Sequence, residues 1–170
     1  MHYTTIYKSD LGDILLACDE IGLTGLWFKD QKYYAAGLSS EHTFIDNCLH
    51  LPAPLADALH WLNIYFSGNI PEFTPVLHLI GTPFQMEVWQ ILLSIPYGKT
   101  TTYGEIASTL AKMRGLSSMS AQAVGSAVSR NPVSIIVPCH RVIGSNGKLT
   151  GYAGGIWRKE ALLKLESVIT

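Results

Sequence analysis

Residues 101–132 read TTYGEIASTLAKMRGLSSMSAQAVGSAVSRNP. Thr102 precedes a helical pattern, with Glu105 three residues on and Ile106 and Leu110 one turn apart, which predicts a capped helix over 102–112. Ser120 opens a second predicted helix, over 120–130, that Asn131-Pro132 closes. Two short helices joined by a loop form a helix-turn-helix pattern. The second helix is rich in small residues: Ala121, Ala123, Gly125, Ser126 and Ala127. Small side chains permit close backbone approach, either to another helix or to a nucleic-acid groove, and spacing leaves both open. The linker AKMRGLSSMS is long; its Arg114 reads either as a solvated charge or as a cationic contact.

Outward from this unit, TPFQMEVWQILLSIP predicts another helix, with Thr82 as cap, Pro83 in the first turn, and Phe84, Val88 and Leu92 on its apolar face. Downstream, VSIIVPCHRVIG reads as a short extended segment, SNGK as a turn and GIWRKEALLKLES as a terminal helix. The first half differs in kind. HYTTIYK, ILLACDE and LTGLWFKD are β-prone and separated by turn-like residues, and residues 31–55 are polar and punctuated and read as partly loop. PLADALHWLNIYFSG has Leu55, Leu59, Leu62 and Phe66 at helical spacing and stops at Gly68, after which PEFTPVLHLIG returns to strand character. The expected architecture is α/β of the α+β kind. A small N-terminal domain with an antiparallel sheet spans 1–80, and a mainly helical domain spans 81–170.

The charge is divided along the same line. The net charge of −1 conceals three Lys and Arg against nine Asp and Glu in residues 1–80, a balance of −6, and nine against four in residues 81–170, a balance of +5. A basic C-terminal half suits an anionic partner. No apolar run approaches the ~18 residues that cross a bilayer, and MHYTTIYKSD lacks the features of a signal peptide. Three cysteines, an odd number, argue against a disulfide framework and for a reducing, cytoplasmic setting. Cys18, Cys48, His42 and His50 lack paired metal-ligand spacing, so no metal is expected. Trp27, Trp61, Trp89 and Trp157 read as core.

The chemistry concentrates in IIVPCHRVIG, residues 135–144. A thiol follows an apolar run and a proline, with imidazole and guanidinium beside it. Thiolate is the nucleophilic form of cysteine, and basic or cationic neighbours promote it. In an extended segment Cys139 and His140 would face opposite ways, so the pair would communicate through a water or the backbone. Of the C-terminal carboxylates, Glu166 is better placed to orient His140 than Glu160, which lies at the more exposed start of its helix. Taken alone, these residues also fit a Cys–His hydrolase with Glu166 or Asn131 as third member.

PVSIIVPCHRVIG, followed by GYAGG and RKEALLKLE, resembles the active-site signature of the O6-alkylguanine-DNA alkyltransferases. GTPFQMEVWQILLSIPYGKTTTYGEIA and AQAVGSAVSRNPV resemble that family's DNA-binding region, in the same order. The resemblance implies a ribonuclease H-like N-terminal domain and a winged-helix-like C-terminal one. It implies a monomer that binds duplex DNA in the minor groove and flips out O6-alkylguanine, and it leaves open whether O4-alkylthymine is also a lesion it takes. The alkyl group would pass once and irreversibly to Cys139, without cofactor or metal. Residue by residue, His140 matches the histidine that takes the thiol proton through a water, Glu166 its orienting carboxylate, and Asn131 the asparagine tying the turns around the site. Tyr103 matches a contact to the flipped base and its phosphate. Val142, through its carbonyl, with Tyr152 and Ala153 match the base pocket, and Ala121, Gly125 and Arg130 fall on the DNA-binding helix and its end. Arg141 matches a structural anchor.

One position departs from the pattern. Gln122 stands where the family carries an arginine finger, which predicts weaker or slower flipping with transfer intact. The alternative within this resemblance is a lesion-binding relative that recruits other repair and transfers nothing; retention of Cys139 argues against it.

Overall fold

The computed structural model describes residues 1–170. The chain forms two compact units, Met1–Ile80 with Pro132–Ser134, and Gly81–Asn131 with Ile135–Thr170.

In the first unit, β1 (His2–Ser9), β2 (Gly12–Cys18) and β3 (Leu23–Phe28) form an antiparallel meander. Period-2 burial in β2 sends Ile14 and Leu16 to the core, opposite Tyr7 and Thr5 of β1. Helix α1 (Ala53–Phe66) packs on this sheet through Leu55, Ala58, Leu62 and Tyr65, a helical stripe. The indole of Trp27 lies back over its own strand, so close that a Cβ at Gly25 would sit 1.8 Å from its ring.

Within the stretch read as partly loop, residues 42–44 form β4 (His42–Phe44), a short edge strand parallel to β1, so the sheet is mixed with order β3-β2-β1-β4. One expectation needs correcting in this unit. Residues 71–81, read as strand, form none. They make a single bridge, in which the Leu23 N–H donates to Val76 O at 2.8 Å and the His78 N–H to Leu23 O at 2.8 Å. Pro71 and Pro75 remove the donors that a longer ladder would require.

The second unit is mainly helical. Helix α2 (Pro83–Leu93) starts in a capping box between Thr82 and Gln85, and α3 (Tyr103–Met113) in one between Thr102 and Glu105. Ser120 caps α4 (Ala121–Ser129) by accepting from the Ala123 N–H. The Trp89 indole N–H donates to the Ala127 carbonyl at 2.9 Å, fixing α2 to α4. A two-stranded parallel pair, β5 (Thr101–Thr102) with β6 (Val142–Ile143), and α5 (Ile156–Leu165) complete the unit.

The segment expected to be extended up to Cys139 is instead a buried turn. Residues 134–136 turn, Ile135 adopts φ +70°, and Cys139–Arg141 form one turn of 3₁₀ helix. β-Branched side chains are buried as well by such a turn as by a strand, so tertiary packing overrides propensity here. Trp157 also departs from expectation. It is 55% exposed, and the Arg158 guanidinium lies 4.5 Å from its ring centre. No helix is long and apolar enough to cross a membrane.

Two glycines give opposite expected outcomes. Gly25→Ala forces Trp27 out of place and should lower stability by about 1–3 kcal/mol. Gly104→Ala meets nothing nearer than 3.9 Å on an exposed helix and should raise stability by about 0.5–1 kcal/mol. Urea midpoints of the two variants check both.

Candidate active site

Cys139 opens the 3₁₀ turn, with Pro138 before it and its own N–H donating to Val137 O at 2.8 Å. Its side chain lies at the wall of a cavity of about 440 Å³ and is nearly covered. Burial pushes the thiol pKa up. Against this act a hydrogen bond from the Asn131 side chain, the positive charge of Lys159 and backbone N–H groups of the turn. The thiol is therefore neutral at rest, among groups that favour its anion. Asn131, also buried, donates from Nδ2 to Val137 O at 2.8 Å and so ties the end of α4 to the residues preceding Cys139.

Because residues 139–141 turn helically, His140 points into the protein, where it meets Glu166. The corresponding expectation of two opposed side chains on a strand does not apply. His140 Nε2 lies 2.7 Å from Glu166 Oε1, and both side chains are fully buried. Glu166 is the residue that ends α5, and it accepts three further bonds. Arg141 donates from Nε to Oε2 and from Nη2 to Oε1, each at 2.9 Å, and the Gly98 N–H donates to Oε2 at 3.1 Å. Burial opposes this carboxylate's charge, but the bonds and charges of His140 and Arg141 bring its pKa down to about 2.

These shifts assign the protons. Glu166 is ionised and can only accept, so His140 must carry its hydrogen on Nε2. Desolvation, outweighing Glu166, lowers the His140 pKa, and the ring is neutral at pH 7 with Nδ1 as its basic nitrogen. The site thus holds a neutral thiol, a neutral imidazole oriented as a base, and an anchored carboxylate. Arg141 completes its role by donating from Nη1 to Ile95 O at 2.6 Å.

The cavity wall brings together Tyr103, Ala121, Gln122, Gly125, Cys139, Tyr152 and Ala153, with Val128, Ser129, Thr150 and Gly151. Gly125 faces the Tyr103 ring, 3.8 Å from where its Cβ would stand. Two positions fall elsewhere. Arg130 ends α4 on the exposed surface, outside the cavity wall. Val142 is fully buried and is not part of the cavity wall, and its carbonyl accepts from the Lys159 ammonium with one of its two lone pairs. Arg114 pairs with Glu87 of α2, Nε to Oε2 at 3.0 Å.

Lys159 is the functional candidate that the sequence reading missed. It is fully buried, and its Nζ also donates to the carbonyls of Thr150 at 2.8 Å and Gly151 at 3.1 Å. In RKEALLKLE it passes as one charge of a solvated run. Yet Lys159, Leu162, Leu163 and Glu166 stand at i, i+3, i+4 and i+7, all buried. Two ionisable residues on the apolar stripe of a helix were the available signal.

Two family models cover nearly the whole chain: 6-O-methylguanine DNA methyltransferase, ribonuclease-like domain, over residues 1–79, and 6-O-methylguanine DNA methyltransferase, DNA binding domain, over residues 83–168. A methylated-DNA–protein-cysteine methyltransferase of Mycobacterium tuberculosis is 47% identical over 166 residues, spanning 98% of this chain and 92% of its own. One from Methanosarcina acetivorans is 44% identical over 164 residues, spanning 96% and 97%. The crystal structure of Mycobacterium tuberculosis OGT in complex with DNA matches with a TM-score of 0.80 at 43% identity, covering 96% of this chain and 92% of that one.

Glu166 makes stability depend on acid. Its folded pKa of about 2 lies below the unfolded value of about 4.3, so its contribution is complete above that value and is lost as pH falls toward 2. Glu166→Gln should be less stable than wild type at pH 7, and the difference should shrink as pH falls from 4.5 to 2. Urea unfolding across that range measures it.

Proposed function

This chain belongs to the 6-O-methylguanine DNA methyltransferase family, and from that premise we propose that it moves an alkyl group from O6 of guanine in duplex DNA to Cys139, once per molecule. It is a methylated-DNA–protein-cysteine methyltransferase, a DNA-repair alkyltransferase. The observation that carries the finer reading is the neutral, oriented His140 base beside a nearly covered thiol at a cavity wall.

The reacting carbon is shielded within a base stack, and the thiol lies at a cavity, so the alkylated base must leave the duplex to meet it. The cavity opens beside α4, whose Ala121, Gln122, Ala123 and Ser126 are exposed. A helix face that presents small side chains suits close approach to a minor groove. The thiol proton passes through a water to His140 Nδ1, and the resulting imidazolium is held by the Glu166 carboxylate. The thiolate attacks the alkyl carbon, the S–C bond forms as the C–O bond breaks, and O6 keeps the bonding pair. The proton given up by the thiol balances the one that neutral guanine regains, so no cofactor is consumed. Water does not displace the Cys139 thiolate from the thioether that forms, and the protein is spent after one event. Lesion contacts fall to Tyr103, Tyr152 and Ala153, which line the cavity, and Gln122 wedges into the stack in place of the departed base.

Mass analysis after mixing with duplex DNA containing one O6-methylguanine should show a single methyl group on the Cys139 peptide, never exceeding one per protein. Unmodified duplex and the Cys139→Ser protein should give none. Tight binding to the lesion without any gain in mass would instead identify a lesion-binding protein. Gln122→Arg should speed transfer several-fold at limiting DNA and steepen the salt dependence of duplex affinity by about one counterion, because it adds one cation.

A further inference from the structure

The ammonium of Lys159 has three N–H donors, and three backbone carbonyls receive them: Val142 at the end of the Cys139 turn, and Thr150 and Gly151 in the cavity wall. The Tyr103 hydroxyl reinforces the same loop, donating to Thr150 O at 2.9 Å, and its ring lies 5.9 Å from Lys159 Nζ. With every donor engaged, Lys159 is ill-suited to exchange protons with a substrate. It is suited to be a fixed positive charge and a cross-link.

We propose that Lys159 is a positioning residue for alkyl transfer, holding the Thr150–Gly151 wall against Val142 and biasing Cys139 toward its thiolate. This rests on Cys139 being the alkyl acceptor. The groups that face the thiol are Asn131 beyond α4, Tyr103 from α3, Lys159 from α5 and the backbone N–H groups of Cys139 and His140. Among these Lys159 alone carries a positive charge at rest, because His140 is neutral and Arg141 is spent on Glu166. Burial brings Lys159 itself down to about 8, while the three carbonyls, which only the protonated form can fully satisfy, retain the proton at neutral pH.

The test separates charge from packing and does not need DNA. Iodoacetamide labels Cys139 in wild type and in Lys159→Met, with the exposed Cys48 as an internal reference and peptide masses as readout. Removing the charge should make Cys139 labelling about tenfold slower at pH 7, and above about pH 8, where the wild-type amine loses its own proton, the two rates should converge. Equal rates throughout, or the same fold loss at every pH, would overturn the proposal. Should the Met variant not fold, ¹⁵N-lysine NMR of wild type follows the Nζ directly. A charged Lys159 at pH 7 with a midpoint below those of the surface lysines is expected, and a neutral amine at pH 7 would overturn the proposal. If lesion DNA fails to methylate wild-type Cys139, the acceptor reading fails, while the labelling profile still decides the role of Lys159.

Discussion

The buried carboxylate of Glu166 is the constraint on which the second unit depends. It accepts from His140, twice from Arg141 and from the Gly98 N–H, and so binds the end of α5 to the Cys139 turn and to the loop before β5. A carboxylate stripped of water is costly unless its lone pairs are used, and here four donors use them. The same bonds hold His140 in one tautomer. Structure and reactivity therefore share one set of contacts: what keeps Glu166 charged also leaves His140 neutral and basic at Nδ1.

Around this centre most of the backbone is irregular, and irregular backbone leaves carbonyls without ladder partners. Cationic side chains on α5 and the Cys139 turn supply the missing donors. Lys159 serves Val142, Thr150 and Gly151, Arg158 donates to Gly154 O at 3.0 Å, and Arg141 reaches Ile95 O. Three of the nine cationic side chains counted in the C-terminal half, Arg141, Arg158 and Lys159, are thus internal. The basic balance of that half is a weaker guide to its outer surface than the sum suggests.

That distinction bears on DNA recognition. The exposed face of α4 carries small residues and Gln122, with Arg130 only at its end, and Arg114 is engaged with Glu87. Close approach of backbone to a groove, more than a dense cationic surface, is what this helix offers. Small side chains also serve within the protein: Ala127 is buried and receives the Trp89 indole on its carbonyl. The packing reading of the small-residue pattern holds on one side of this helix, and the groove reading concerns the exposed side.

Local chemistry was legible in the sequence. Thr82, Thr102 and Ser120 cap their helices because the hydroxyl and the orphan N–H groups are neighbours in the chain. Cys139, His140 and the helix-turn-helix could likewise be read from adjacent residues and their resemblance to a known family. What could not be read depends on partners far along the chain. The turn at Ile135 opposes the preference of its β-branched residues and exists only because packing buries them. The bond from Lys159 to the Val142 carbonyl joins residues 17 apart in the chain. Lys159 itself looks like surface in sequence, since a charge reveals its burial only once the helix face beneath it is known. Sequence determined the caps, the helical faces and the reactive side chains, which follow from short-range chemistry. Tertiary structure alone decided which charges are buried and what they hold, because desolvation and pairing are properties of neighbours brought together by folding.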